Sequence, residues 1–224
     1  MEKSNIDEKI KLLTGSGMWH TQEVEGLPSV HLSDGPHGLR KQEEKERQNN
    51  VSLVSTCYPT ASALACSWDV TAAERLGRAV AKEAWNADVA VLLGPGINMK
   101  RSPLCGRNFE YFSEDPFLAG RLGAAYVSAA QGEDVAVSLK HFAANNQETN
   151  RQTSNSQIDE RALREIYLSA FEYVVKTARP ATVMASYNRL NGYYACENRH
   201  LLTEILREEW GFDGVVISDW GACA

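Results

Sequence analysis

The run Gly214-Val215-Val216-Ile217-Ser218-Asp219-Trp220 decides the fold class of this chain. It opens with a short, mostly apolar and β-branched stretch, which is typical of a buried strand in a parallel sheet. An Asp and a Trp follow at the carboxyl end of that strand. Catalytic side chains of α/β barrels lie at this end of the strands, so the run predicts a functional site as well as a strand.

Strand and helix patterns alternate along the rest of the chain. Helical spacing of apolar residues, with Asp caps and closing glycines, predicts helices over 69–85, 115–132, 159–177 and 198–210. A shorter helical repeat begins at Ile6, with a capping box made by Asn5 and Glu8. Apolar runs predict further strands over 30–33, 58–61, 89–93, 135–139 and 182–185, although Pro59 limits ladder bonding in the second of these.

About six strands alternating with helices indicate an α/β fold built on a parallel sheet. No G-x-G-x-x-G run follows any strand, which disfavours an open dinucleotide-binding sheet. Polar residues follow nearly every strand and need to face one place, so we favour a (β/α)8 TIM-type barrel. Such a barrel usually needs about 250 residues, so we expect an incomplete barrel whose last elements are missing. The 159–177 helix should face the core with Ala162, Ile166, Ala170 and Val174.

Composition and charge exclude several classes of function. The 224 residues carry a net charge of −6, which argues against a nucleic-acid-binding surface, and no run is long and apolar enough to span a membrane. The five cysteines show no C-x-x-C spacing, so we expect neither a disulfide framework nor a metal or other cofactor. The N-terminus lacks the apolar core of a signal peptide, so a cytoplasmic location fits best. The mixed-charge run over 40–47 predicts a solvated loop.

Chemistry-bearing residues follow the predicted strands. Asp34 follows the first strand, Lys140 and His141 follow the strand over 135–139, Tyr187 follows the next, and Asp219 follows the last. A barrel would bring these side chains to one mouth. A cup of carboxylates, cations and aromatic rings suits a pyranose, whose hydroxyls need charged partners and whose carbon face needs a ring.

Each of these residues has a structural alternative when it is taken alone. A single Asp at the end of a strand is more often a turn or cap residue than a nucleophile. Arg107, in the loop after the strand over 89–93, could form an ion pair with Glu110 or Glu114. A Ser–His–Asp triad finds no support, because no G-x-S-x-G nucleophile elbow is present. The joint pattern therefore carries the functional prediction.

Six motifs occur in order along essentially the whole chain, at 34–40 (DGPHGLR), 94–98 (GPGIN), 106–116 (GRNFEYFSEDP), 140–142 (KHF), 184–188 (MASYN) and 218–220 (SDW). Together they resemble the barrel-domain motifs of glycoside hydrolase family 3, in its bacterial β-glucosidase branch. The resemblance implies that residues 1–224 are the N-terminal barrel domain, truncated after the strand that carries the nucleophile. It also implies that the C-terminal α/β sandwich domain of the family is absent.

The same resemblance implies a role for nine residues. Asp219 resembles the catalytic nucleophile, which forms a covalent glycosyl-enzyme intermediate and which neighbouring cations should keep ionised. Tyr187 resembles the tyrosine beside that nucleophile, and Trp220 resembles the neighbouring aromatic wall. The residues that resemble binding partners of the sugar hydroxyls are Asp34, Arg40, Arg107, Lys140, His141 and Arg151.

The acid/base residue has no counterpart in this chain. The β-N-acetylhexosaminidase branch carries it on the loop that follows a Lys-His-Phe-Pro-Gly start, and the run after Phe142 departs from that pattern. In the glucosidase branch, the acid/base Glu belongs to the C-terminal domain. Glu110 or Glu148 could in principle act as a substitute acid.

The function that we expect is a retaining β-glucosidase, which releases terminal non-reducing β-D-glucosyl residues from β-linked glucosides or oligosaccharides. Three alternatives stay open. The chain could belong to a β-xylosidase or another β-glycosidase of the family. It could be a non-catalytic remnant that at most binds sugar weakly. It could also work with a separate, complementing chain that supplies the C-terminal domain.

Overall fold

The computed structural model describes residues 6–42 and 51–223. Its strands are β1 (Leu32–Asp34), β2 (Val91–Leu93), β3 (Ala136–Phe142), β4 (Asn155–Ser156), β5 (Thr182–Ala185), β6 (Arg189–Leu190), β7 (Tyr193–Tyr194) and β8 (Val215–Ser218). Five of them, β1, β2, β3, β5 and β8, form the main sheet, and β4, β6 and β7 form a small second sheet.

Helices occupy much of the chain between these strands. The α-helices are α1 (Ile6–Lys11), α2 (Ala61–Ala65), α3 (Val70–Asn86), α4 (Pro116–Gln131), α5 (Glu160–Ala162) and α6 (Ser169–Ala178). Two π-helical segments span Leu163–Tyr167 and His200–Glu209, and 3₁₀ turns span Asn108–Glu110 and Ala195–Glu197. In the packed structure, α4 lies between α3 and α6.

The strands of the main sheet are parallel, and their spatial order follows the chain. Asp34 of β1 lies opposite Leu93 of β2, and Ala185 of β5 lies opposite Ser218 of β8. The order of these strands does not reverse, whereas a doubly wound sheet contains a reversal point. The predicted α/β fold with a parallel sheet is therefore confirmed, and the carboxyl ends of these strands lie at one edge.

The strand predictions hold in all but one case. The first and last residues of four strands lie within two residues of the predicted ones; these strands are β1, β2, β5 and β8. Strand β3 extends beyond its predicted end, to Phe142. The strand predicted over 58–61 is wrong. The hydroxyl of Thr60 accepts a hydrogen bond from the N–H of Ala63, so helix α2 begins at Ala61 instead. The main sheet consequently has five strands and not about six.

Aspartate caps fix the starts of three predicted helices. The carboxylate of Asp69 accepts a hydrogen bond from Thr71 N–H at 2.8 Å, and that of Asp115 accepts one from Phe117 N–H at 3.0 Å. Asp159 caps α5 in the same way. These bonds satisfy donors that the first turn of a helix leaves free, which is why the predicted starts are confirmed.

The helix predicted over 159–177 contains an unpredicted π-helical turn. Leu163–Tyr167 forms this turn between α5 and α6, and a π turn holds more residues than an α turn. The extra residue in this turn shifts the inward face of the helix, and that face buries Leu163 and Leu168 completely. Ala170 and Val174 are buried as predicted, whereas the residues predicted to extend this stripe towards the N-terminus, Ala162 and Ile166, are only half-buried.

The two faces of the main sheet bury different partners. On one face, the main core combines strand residues with side chains from α3, α4 and α6. On the other face, Val91, Leu93 and Met184 form a smaller apolar cluster, against which Trp19 and Trp220 pack. The N-terminal segment thus covers a sheet face that the helices leave open.

Two predicted features lie at least partly outside the described residues, namely the cap Asn5 and most of the charged run over 40–47. The five cysteines are free thiols. Within the described ranges, none of the helices combines the length and apolar character that crossing a membrane would require.

Gly77 of α3 lies where α3 and α4 approach closely. A Cβ atom at this position would lie 2.4 Å from the main-chain oxygen of Tyr126. We therefore expect Gly77→Ala to lower the free energy of unfolding by about 1–3 kcal/mol, as overpacking typically does. Urea denaturation measures the change.

Gly120→Ala in α4 is the matched control. A Cβ atom there would meet its nearest neighbours at 3.4 Å, which is ordinary contact, and Ala favours the helix. Equal losses of unfolding free energy in Gly77→Ala and Gly120→Ala would contradict the close approach of the helices at Gly77.

Candidate active site

Charged residues cluster where the strands of the main sheet end. Asp34 ends β1, Lys140 and His141 lie near the end of β3, and Asp219 directly follows β8. Of these, Lys140, His141 and Asp219 are buried. Buried charges destabilise a fold unless they are paired, so their partners define the site.

Two cations pair with two carboxylates on one side of this site. Nζ of Lys140 lies 3.0 Å from Oδ1 of Asp34 and 3.9 Å from Oε2 of Glu110. Nε of Arg107 donates a hydrogen bond to Oε1 of Glu110. The ion pair of Arg107 with Glu110, which the sequence offers as an alternative, is therefore present. It coexists with contacts of Arg107 to the rest of the site.

These four residues line a cavity of about 430 Å³. Small-molecule sites usually occupy about 300–1,000 Å³. Arg40 also lines the cavity, with an exposed side chain and a main-chain N–H that donates to the carbonyl of Asp34 at 2.8 Å. The rings of His37 and Phe109 lie edge to face on its wall, with centroids 6.0 Å apart. Carboxylates, cations and rings thus share one wall, which suits a polyhydroxylated ligand.

Hydrogen bonds fix both the charge and the tautomer of His141. Nη2 of Arg107 lies 2.7 Å from Nε2 of His141, and an arginine donates only, so Nε2 accepts. Nδ1 therefore carries the proton and donates to the hydroxyl of Tyr111 at 3.0 Å. Burial, together with Arg107 and Lys140, holds the pKa of His141 well below its usual range. His141 is therefore neutral and adds no positive charge to the site.

One oxygen of the Asp219 carboxylate accepts a hydrogen bond, and the other, which we call open, accepts none from the described residues. Oδ1 accepts a hydrogen bond from the N–H of Trp220 at 2.9 Å. Oδ2 has no hydrogen-bond partner among the described residues, and it lies 3.8 Å from Nε2 of His141. Because His141 is neutral and its Nε2 already accepts from Arg107, this contact is not an ion pair. Oδ2 therefore keeps its lone pairs available.

Burial raises the pKa of Asp219 above its usual range. The N–H of Trp220 and the cations Arg107 and Lys140 act in the opposite direction, but burial outweighs them. The sequence-based expectation of a carboxylate kept ionised by cations thus describes only the weaker influences. A buried carboxylate with a raised pKa is typical of functional sites.

A second set of contacts surrounds Tyr187. Its hydroxyl donates to the carbonyl of Trp220 at 2.7 Å, while burial and the nearby Asp219 raise the pKa of Tyr187 to about 12. The guanidinium of Arg151 lies 4.6 Å from the centroid of the Tyr187 ring, and Nη1 of Arg151 donates to Glu148 at 3.1 Å. The stacking and the ion pair together hold Arg151 beside the site.

The structure brings the nine predicted site residues into one region. Eight of them form a continuous series of contacts, in which Glu110 connects Lys140 to Arg107. In the order of these contacts, the eight are Asp34, Lys140, Arg107, His141, Asp219, Trp220, Tyr187 and Arg151. Arg40 joins them through the shared cavity. Among the described residues, no group of three or more His, Cys, Asp or Glu side chains has the geometry to hold a metal ion.

Sequence reasoning did not select several residues that hold the site together. Asn98 exchanges two hydrogen bonds of 2.8 Å with the main chain of His141, and Asn145 donates to Tyr111 at 3.2 Å. Asn98 and Tyr111 lie within the motifs at 94–98 and 106–116, so their positions in those motifs could have marked them as site residues. Trp19 lies in no such motif and far from Trp220 in the chain, so no local signal marked it.

Residues 36–224 match the family model described as the N-terminal domain of glycosyl hydrolase family 3. The chain belongs to glycosyl hydrolase family 3. Among curated relatives, thermostable β-glucosidase B of Acetivibrio thermocellus is 54% identical over 99% of this chain. The exo-α-(1→6)-L-arabinopyranosidase of Bifidobacterium longum is 51% identical over 97% of it. The chain spans 30% and 29% of the lengths of these two relatives.

Solved structures of the family superimpose closely on this fold. The GH3 β-glucosidase of Bifidobacterium adolescentis gives a TM-score of 0.93 at 50% identity, covering 99% of this chain and 32% of that one. β-Glucosidase 3B of Thermotoga neapolitana, in complex with glucose, gives a TM-score of 0.91 at 43% identity, covering 97% and 33%. The family's fold therefore extends over nearly all of this chain.

The raised pKa of Asp219 makes a prediction about stability. A carboxyl whose pKa is higher in the folded than in the unfolded state weakens the fold at neutral pH, and this penalty fades as pH falls towards about 3.9. We expect Asp219→Asn, which removes the buried charge, to raise the Tm at pH 7 and to raise it less at pH 4. Circular-dichroism melts at pH 7 and pH 4 measure the difference.

Asp213→Asn serves as the control, because Asp213 is exposed and pairs only with the exposed Arg179 in the described structure. It should leave the Tm nearly unchanged. A lower Tm for Asp219→Asn at pH 7 would mean that the surrounding cations need the Asp219 charge more than burial disfavours it.

Proposed function

We propose that this chain forms the sugar-binding part of a retaining β-glucosidase, with Asp219 as the nucleophile. The observation that carries the proposal is the open Oδ2 of Asp219, which is buried beside a neutral His141. Arg107, which contacts His141, lines the cavity of suitable size. An oxygen that accepts no hydrogen bond is free to attack an electron-poor carbon. Membership of the family and a relative named as a β-glucosidase support the same function.

The proposed reaction takes two steps. In the first step, Oδ2 of Asp219 bonds to the anomeric carbon while the bond from that carbon to the leaving oxygen breaks, and a general acid protonates the leaving oxygen. In the second step, water attacks the anomeric carbon, the bond to Asp219 breaks, and a base takes the proton from the water. Each step inverts the carbon, so the configuration is retained overall.

The charged residues around the cavity are the proposed partners of the sugar hydroxyls. Asp34 would accept hydrogen bonds from hydroxyls, and charge-assisted donors would bind the others. The proposed donors are Arg40, Arg107, Lys140 and Arg151. His141 is neutral and both of its ring nitrogens are engaged, so we propose that it contributes by fixing Arg107. The indole of Trp220 would form an apolar wall.

The proton donor is the unassigned part of this proposal. Glu110 accepts from Arg107 and lies near Lys140, and Glu148 accepts from Arg151 and Asn145. Carboxylates whose oxygens accept from these donors present no proton to a leaving group. We therefore propose that the acid comes from outside the described residues, either from the longer chain that the relatives possess or from a separate chain.

We also propose that the main sheet is part of a (β/α)8 barrel. Three observations support this proposal: the strands are parallel, they follow the chain order, and their carboxyl ends carry the site residues. The main core lies against only one face of the sheet, and the other face holds the small cluster under Trp19 and Trp220. In a barrel, that second face would be the interior.

Covalent labelling tests the nucleophile. We expect 2,4-dinitrophenyl 2-deoxy-2-fluoro-β-D-glucoside to add one fluoroglucosyl group to Asp219, because its good leaving group needs little help from an acid. Peptide mapping by mass spectrometry locates the label. Asp219→Asn should not react, whereas Asp213→Asn should react as the unmodified chain does.

A label on another residue would overturn the assignment of Asp219. The xylo and α-L-arabinopyranosyl versions of the reagent address the sugar. Preference for either would favour a β-xylosidase or an activity like that of the Bifidobacterium longum relative over a β-glucosidase.

The missing acid predicts a strong dependence on the leaving group. We expect the chain to cleave 2,4-dinitrophenyl β-D-glucoside measurably but methyl β-D-glucoside at least about 100-fold less than a complete enzyme would, since general acid catalysis contributes about 10²–10⁴-fold. Azide, a nucleophile that needs no base, should speed turnover of the dinitrophenyl substrate. Equal efficiency on both glucosides would mean that a described carboxyl, Glu110 or Glu148, serves as the acid.

A sugar-binding module without catalysis is the second candidate function. It is favoured by the pairing of Asp34, Lys140, Arg107 and Glu110 with one another around the cavity. Saturation-transfer NMR with glucose, together with no labelling of Asp219, would support this candidate over the enzyme.

A further inference from the structure

Four contacts hold Trp220 in place. Its ring centroid lies 5.3 Å from that of Trp19, with the planes tilted by 41°. Its indole Nε1 donates to the carbonyl of Met18 at 2.7 Å. In the main chain, its N–H donates to Oδ1 of Asp219 and its carbonyl accepts from Tyr187. The residue that holds the Asp219 carboxylate is thus itself held by the N-terminal segment.

Trp19 is anchored independently of Trp220. Its indole Nε1 donates to Oε1 of Gln42 at 3.0 Å, and its carbonyl accepts from the N–H of Leu32, at the start of β1, at 2.7 Å. Its ring packs against the small apolar cluster on the second face of the sheet. A ring held by a hydrogen bond and by apolar packing, in a residue whose main chain is also bonded, offers a rigid surface to its neighbour.

The segment that carries Trp19 lies before residue 36, where the match to the family model begins. The main-chain N–H of Trp220 donates a hydrogen bond to Oδ1 of the Asp219 carboxylate. Because the Trp220 ring is joined to its own Cα, contacts that hold the ring limit where the Trp220 main chain, and with it this N–H donor, can lie. The contact from Trp19 therefore bears on the direction in which Oδ2 points.

We infer that Trp19 is a positioning residue, which fixes Trp220 and, through it, the carboxylate of Asp219. The functional part of this inference rests on the proposed function, because it concerns the group that attacks the sugar. The structural part, that Trp19 fixes Trp220, does not depend on the proposed function. Trp19 touches neither Asp219 nor the cavity residues in the described contacts, so it acts through Trp220.

Fluorine NMR tests the structural part without any substrate. The chain contains five tryptophans, so labelling with 5-fluorotryptophan gives up to five signals, and the signal that Trp220→Phe removes belongs to Trp220. We expect Trp19→Ala to shift or broaden that signal and Trp19→Phe, which keeps a ring, to preserve it. Trp85→Ala is the matched control, since Trp85 is exposed on α3.

An unchanged Trp220 signal in Trp19→Ala would overturn the inference, whether or not Asp219 can be labelled. Gln42→Ala provides a milder variant if Trp19→Ala unfolds, because it removes only the hydrogen bond to the Trp19 indole. It should broaden the Trp220 signal without changing the far-ultraviolet dichroism. A sharp, unmoved signal in this variant would count against the inference.

Labelling kinetics test the functional part. We expect Trp19→Ala to lower the rate constant of Asp219 labelling at saturating reagent by about tenfold, since a misplacement of about 1 Å can cost about 100-fold. The concentration that gives half-saturation should change by less than about threefold, and Trp19→Phe should recover most of the rate. Weaker binding with an unchanged rate constant would mean that Trp19 contacts the sugar and does not position Asp219.

These outcomes separate the two proposals. Failure to label Asp219 in the unmodified chain would count against the proposed function, while the fluorine signal of Trp220 would still decide whether Trp19 fixes it. Normal labelling together with an unresponsive Trp220 signal would leave the proposed function intact and remove Trp19 from it.

Discussion

Parallel pairing in chain order is the constraint on which the rest of this structure depends. Each strand of the main sheet lies beside its predecessor and points the same way, so residues that follow different strands meet at one edge. Asp34 and Asp219 are far apart in the chain, yet both stand at this edge through the ends of β1 and β8. No local interaction could bring them together.

Concentrating charge at one buried edge demands compensation. Lys140 pairs with Asp34 and Glu110, and Arg107 divides its donors between Glu110 and His141. Removing one partner of such a network leaves an uncompensated buried charge, which typically costs about 3–5 kcal/mol. The network therefore behaves as a unit, and a rigid arrangement of charges is what the recognition of hydroxyls in fixed positions requires.

The sequence predicted those features that depend on local chemistry. The Asp caps, the apolar strands and the residues at strand ends follow from hydrogen-bonding needs and periodicity that act within a few positions. The predictions from sequence failed where contacts between distant parts of the chain determine the structure. The π-helical turn at Leu163–Tyr167 shifts a buried stripe without a local marker. The neutral state of His141 depends on its burial and on Arg107, which comes from a distant loop. The contact between Trp19 and Trp220 joins two ends of the chain.

Asp219 shows why a site of this kind is not optimised for stability. A hydrogen bond to Oδ2 would satisfy a buried oxygen and lower the pKa of the carboxyl, but it would also occupy a lone pair that the proposed attack on the sugar requires. The structure instead holds the carboxylate through Oδ1, which accepts from the main-chain N–H of Trp220, and leaves Oδ2 open. Nearby cations offset part of the desolvation without contacting that oxygen. Holding one oxygen by a hydrogen bond while the other stays free would keep Asp219 both aimed and reactive in the nucleophilic role that we propose for it.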